Sequence, residues 1–253
     1  MPLLTAAEPA AFTIERPQGA SEFLLVCDHA SRLIPQSLGS LGLDDEQLAT
    51  HIAWDIGAAA VARQLSAALD ATLLLQNYSR LVIDCNRPPG SATSIPTRSE
   101  HVRIAANEAL ATADAAARVA EIFTPYHVAI SAILEQRLFA GTRTLLVCIH
   151  SFTPVYLGQA RPWKTGLMYR KDLRLGRALL ELLRQDDSLH AGENEPYAIK
   201  DDTDYTIPVH GEARRLPHVG IEIRQDLITD MHGQQEWATR LAQLLPLAGK
   251  GIQ

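Results

Sequence analysis

Short apolar runs alternate with long helical patterns along this chain, and that alternation is the feature that most narrows what it can fold into. "SEFLLVCDH" reads as a first strand. "LDDEQLATHIAWDIGAAAVARQLSAALDA" reads as one long helix, with Leu48, Ile52, Ala59, Leu65 and Leu69 on one apolar face and Asp44 with Gln47 as a capping pair. "ATLLLQNYSRLVIDCNRPPG" supplies two more apolar runs, read as consecutive strands, followed by a proline-glycine loop through Ser99 suited to a cleft border. An alanine-rich region reads as helices, with Pro125 opening the second or kinking one, and Gly141 ending it. Then come "RTLLVCIH" and "RPWKTGLMY" as strands, "RKDLRLGRALLELLRQ" as an amphipathic helix, and an irregular segment from His190 to His218. "HVGIEIRQDL" is a last central strand and "GQQEWATRLAQLLPLA" a closing helix. The order predicts an α/β fold: one domain over residues 1–253, a mostly parallel mixed sheet with helices on both faces, and a loose N-terminal arm over 1–20.

A chain of 253 residues, 47% of them hydrophobic, can bury one large core without disulfides or metals to staple it. A formal charge of -6 argues against nucleic acid or an anionic membrane as partner, because both demand a cationic face. Cys27, Cys85 and Cys148 form an odd set inside or beside apolar runs, which suits a reducing compartment. No apolar run approaches a membrane span, and the N-terminus lacks the pattern of a signal peptide. The expectation is a soluble cytoplasmic protein; no oligomeric state follows from the residues.

Four apolar runs end in reactive side chains: His29, Asn86 with Arg87, His150, and Glu222 with Arg224. In open α/β sheets ligands collect at the carboxyl ends of strands, so these groups are expected to share a site. Two imidazoles and a carboxylate make a three-ligand metal site with an open position, and His29 and His150 are the expected imidazoles. The acid three residues after the first histidine in a short metal motif is here Arg32, so the carboxylate must come from elsewhere. Asp55, inside "HIAWDIGA", is the choice, because an unpaired charge on an apolar face needs a cation. His51 is the alternative ligand or an orienting group, and an ion pair with Arg80 or Arg32 is the alternative reading of Asp55. Glu222, between Ile221 and Ile223, suits a general base whose pKa is raised by desolvation, with a salt bridge to Arg224 as its bland alternative. Asn86 and Arg87 suit a substrate carboxylate.

Taken in order, "VCDHAS", "HIAWDIGA", "YSRLVIDCNRP", "PYH", "CIHSFTP", "NEPY" and "IEIRQDLI" resemble the N-formylglutamate amidohydrolase family over nearly the whole chain. The resemblance implies a fold related to zinc carboxypeptidases and acylamino-acid deacylases, and cleavage of N-formylglutamate to formate and glutamate. By that similarity His29 and His150 hold the metal, Asn86 and Arg87 the substrate carboxylate, and Glu222 is the base. The cofactor expected is one divalent metal, zinc before iron, manganese or cobalt. Arg80 is expected to steady the oxyanion; Arg224 or Arg98 are candidates for a second carboxylate contact, and Tyr205 for substrate binding. Tyr126, His127, Tyr197 and His210 are further possible donors, with packed aromatic or surface histidine as the alternative. This chain reads Ile104-Ala105-Ala106-Asn107 where the family often has Ile-Pro-Gly-Asn. Two other readings fit the same residues: a deacylase or peptidase for another carboxylate-bearing amide, and an inactive relative that binds a small acidic ligand.

Overall fold

The strands at the centre of the main sheet are the apolar runs, buried on both faces because the sheet is covered on both sides. The computed structural model describes residues 2–252, so Met1, at the start of the expected arm, and Gln253 lie outside the described residues. The strands are β1 (Phe12–Glu15), β2 (Phe23–Cys27), β3 (Thr72–Gln76), β4 (Arg98–Ser99), β5 (Val102–Arg103), β6 (Leu145–Phe152), β7 (Val155–Tyr156), β8 (Gln159–Ala160), β9 (Thr165–Met168), β10 (Ala191–Glu193) and β11 (His218–Arg224). Seven of them form one sheet in the order β1-β3-β2-β6-β11-β9-β10, while β4 with β5 and β7 with β8 are separate small hairpins. The four central strands β3, β2, β6 and β11 run parallel. β1 at one edge is antiparallel to β3, and β9 is antiparallel to β11.

The helices are α1 (Asp45–Ala49), α2 (Ala58–Leu69), α3 (Thr112–Arg118), α4 (Thr124–Phe139), α5 (Arg174–Leu183) and α6 (Met231–Lys250). Alternation along the strands splits the core in two. Leu25, Leu73, Val147 and Ile221 face α2, α5 and α6, whereas Leu24, Val26, Leu74 and Leu146 face α4 and the loops beside it. Burying each such Leu, Ile or Val side chain stabilises by about 1.5–3 kcal/mol. The three cysteines are buried free thiols. Among the described residues no helix is long and apolar enough to cross a membrane.

Three expectations need correction. The arm is not loose throughout: Phe12–Glu15 adds an edge strand to β3, and the Leu3 and Leu4 amides donate to the Glu121 carboxylate at 2.8 and 2.9 Å. The long helix is two helices. α1 is closed by the Asp44–Gln47 capping box, and α2 starts only after Gly57, whose φ of +79 and contact with the Ile228 carbonyl leave no room for a side chain. The run Leu81–Cys85 is not a strand, because β3 already has β1 on one side and β2 on the other. It is a buried turn whose carbonyls are satisfied by side chains instead. Asn107 donates to Leu81 over 2.8 Å, Arg118 to Val82 over 2.8 Å, and the ring of His127 lies 2.7 Å from the Cys85 carbonyl. As expected, Pro125 lies in the first turn of the second helix, α4, which continues from α3 through a π-helical turn, Val119–Phe123.

Candidate active site

β2, β6 and β11 end side by side, and their last residues bring His29, His150 and Glu222 to one rim. His150 and Glu222 are partners in register on adjacent parallel strands. The break before α2 delivers the fourth group. With the helix interrupted, Asp55 sits in a turn whose amide donates to the His29 carbonyl over 3.0 Å, and its carboxylate enters the same space. Asp84 arrives from the buried turn. A cleft of about 490 Å³ opens over these residues and is lined also by Arg80, Asn86, Arg87, Arg98 and Tyr197.

Asp55 is the hub. Its Oδ2 lies 3.2 Å from Nδ1 of His29 and 2.9 Å from Nδ1 of His150, and it also accepts from the Ser151 amide over 3.3 Å. Its Oδ1 faces Arg80 Nη1 at 3.4 Å. Behind each imidazole stands another carboxylate: Asp84 Oδ1 lies 2.8 Å from His29 Nε2, and Asp28 Oδ2 lies 3.4 Å from His150 Nε2. Asp28 Oδ1 accepts from the Tyr126 hydroxyl over 2.8 Å and the Thr206 hydroxyl over 2.9 Å, which holds it in place. Asp84 also takes Arg80 Nη2 at 2.8 Å and the Asn86 amide at 2.9 Å.

The electrostatics follow from this crowding. Burial works against every charge here, yet the neighbours win: His29 lowers Asp55 and, with Arg80, lowers Asp84. Both imidazoles rise, His150 through Asp28 and Asp55, His29 through Asp84 and Asp55 against Arg80. Glu222 goes the other way. Burial pushes its carboxyl up to about 7, with His150 opposing and Asp55 reinforcing, and its Oε2 is buried without a hydrogen-bond partner. Such an atom is costly unless a ligand or water meets it.

The residues present fit a metal ion. One donor atom each from His29, Asp55 and His150 lie within 4.8 Å of one another, so this group can hold a cation. The Nδ1 atoms converge while the Nε2 atoms are backed by carboxylates, the arrangement that fixes tautomer and ring orientation in metal-ligating histidines. Three buried carboxylates, Asp28, Asp55 and Asp84, face the two imidazoles, and Asp55 and Asp84 also face Arg80; with the imidazoles neutral, as metal ligands are, a divalent cation would supply the missing positive charge.

Several expectations are corrected by position. His51 does not join the group; its ring faces Glu100 at 3.4 Å. Arg224 is not on the cleft, because its guanidinium is turned to Asp226 at 2.8 Å, and it does not pair with Glu222. Tyr205 packs against Phe123 and His127, with ring centroids 4.9 and 4.6 Å away, rather than facing the cleft. Arg32 lies over the Trp54 ring, so the ion-pair partner of Asp55 is Arg80. Asp28, which closes the first apolar run with His29, and Asp84 are the groups to which sequence reasoning gave no role. Each is a carboxylate set inside an apolar run, "VCDH" and "VIDC", which was the signal available.

The sequence matches the family model for N-formylglutamate amidohydrolase over residues 21–229. The crystal structure of gene product Atu2144 from Agrobacterium tumefaciens is 41% identical, superposes with a TM-score of 0.95, and the match covers 99% of each chain. An N-formylglutamate amidohydrolase from Ralstonia eutropha JMP134 is 19% identical with a TM-score of 0.65, covering 96% of this chain and 100% of its own, and shares the fold. No curated protein matches the chain.

Proposed function

Because the chain belongs to the N-formylglutamate amidohydrolase family, we propose that it is a metal-dependent hydrolase that removes the N-formyl group from an acidic amino acid, N-formylglutamate above all. The observation that carries the chemistry is Glu222: a desolvated carboxyl with an unpartnered oxygen, in register with His150 and beside the His29–Asp55–His150 group. His29, Asp55 and His150 would hold the metal, and two imidazoles with a carboxylate suit zinc. When bound, it supplies Lewis-acid polarisation and acidifies a water.

Glu222 takes a proton from the attacking water and passes it to the amine nitrogen as the carbon–nitrogen bond breaks. A carboxyl near 7 exchanges protons at little cost at neutral pH. Asp28 and Asp84 keep the imidazoles in the tautomer that presents Nδ1 to the centre.

Asn86 and Arg87 bind the substrate carboxylate. The Asn86 side-chain oxygen accepts from the Tyr205 and Thr206 amides over 3.2 and 3.0 Å, which leaves its NH2 as the group to give a ligand. One Arg87 nitrogen is spent on the carbonyls of Asn86 and Thr203, so the remaining guanidinium donors serve the substrate. Arg98, exposed on the cleft wall, is the contact for the second carboxylate. Arg80 is held by Asp55 and Asp84 and steadies the site's charge from that place.

The test is formate release from N-formylglutamate by zinc-loaded protein, beside N-acetyl and N-succinyl amino acids. Preferential turnover of the formyl substrate is expected; no turnover across the panel overturns the hydrolase reading.

A further inference from the structure

Glu222 has a second neighbour at its own register, Gly166 on β9. A Cβ on Gly166 would lie 1.5 Å from the Glu195 carbonyl oxygen, so only glycine lets the chain at Glu195 and Pro196 lie directly on the sheet beside Glu222. The next residue is Tyr197, and that contact brings it to the cleft shared with Glu222 and Arg80.

Its phenol is held by Arg161. Arg161 Nη1 donates to the Tyr197 oxygen over 2.9 Å, and the guanidinium lies 4.8 Å from the Tyr197 ring centroid and 4.6 Å from that of Tyr156. A guanidinium only donates, so the phenol oxygen is the acceptor and its own proton must go elsewhere. Among the described residues no group accepts that proton. Arg80, which lines the same cleft, has Nη1 on Asp55 and Nη2 on Asp84.

We propose that Tyr197 is a catalytic residue, a hydrogen-bond donor to the acyl oxygen of the amide, and that Arg161 is the residue that positions it. The assignment rests on the hydrolase reading above. The proton is shared in a hydrogen bond and stays on the phenol; the proton that moves from water to the amine nitrogen travels on Glu222. Burial and the charge of Glu222 raise the Tyr197 phenol, against Arg161 and Arg80, which keeps it protonated at neutral pH. The bond strengthens as charge builds on the acyl oxygen, so its loss falls on kcat rather than on KM.

Steady-state formate release by the zinc-loaded wild type, Tyr197→Phe, Arg161→Met and the double variant tests this. Tyr197→Phe is expected to lose about 100-fold in kcat with KM within about threefold. Arg161→Met loses about 10-fold, and none beyond the phenylalanine loss once Tyr197 is gone, because it acts through the phenol. Arg161→Lys stands in if the methionine variant does not fold. An active wild type with Tyr197→Phe at equal kcat overturns the assignment alone, as does an arginine loss undiminished in the phenylalanine background. A wild type that turns over no substrate overturns the hydrolase reading and this assignment with it.

Discussion

Glu222 and His150 stand opposite one another on parallel neighbouring strands, their side chains on the same face of the sheet. The pairing puts a carboxyl that resists ionisation next to an imidazole that favours it, since burial raises Glu222 while Asp28 and Asp55 raise His150. Glu222→Gln keeps the size and the buried environment but cannot carry a proton. The expected outcome is a kcat lower by about two to four orders of magnitude, with metal content and melting temperature unchanged. Turnover at the wild-type rate would remove Glu222 from the mechanism.

Asp84 is 2.8 Å from His29 on the side of the ring away from Asp55. A carboxylate in that place orients a ligating histidine, and losing one typically weakens metal binding by about 10- to 100-fold. Asp84→Ala is therefore expected to bind zinc more weakly by that factor, read by competition with a chromophoric chelator, while His150→Ala loses the ion altogether. Equal zinc affinity in all three proteins would show that this group is not a metal centre.

What could be read from the residues was set by how local the physics was. His29, His150 and Glu222 were legible because each ends an apolar run, and strand ends in a parallel sheet share a rim. Asp55 was legible as a charge on an apolar face, but its route to the site was not. It gets there because the helix is interrupted over residues 50–57, ending at Gly57, where the distant Ile228 carbonyl packs too close for any side chain. The turn at Leu81–Cys85 has a strand's composition; its fate was decided by pairing elsewhere in the sheet and by donors from Asn107, Arg118 and His127, all far along the chain. Tyr205 and Tyr197 look alike in sequence. Only the packing of Glu195 over Gly166 and of Tyr205 on Phe123 tells them apart.

His127 and His210 form a buried stack outside the metal group, with 2.9 Å between His127 Nδ1 and His210 Nε2. The Cys85 carbonyl can only accept, so His127 is protonated on Nε2 and takes the His210 proton on Nδ1, leaving His210 Nδ1 buried without a partner. Burial depresses both rings, His127 to about 4 and His210 to about 3, from 6.5. Below about pH 6.5 the unfolded chain therefore takes up protons that the folded rings refuse, so this stability is full above that pH and is lost as the pH falls toward the folded values. His210→Phe removes one such proton, and the other titrating groups largely cancel in the comparison. Urea unfolding of the two proteins at about pH 7 and about pH 4.5 should show the wild type losing roughly 2–3 kcal/mol relative to the variant. A difference that stays constant between the two pH values would mean that the stack is protonated in the folded protein as readily as in the unfolded chain.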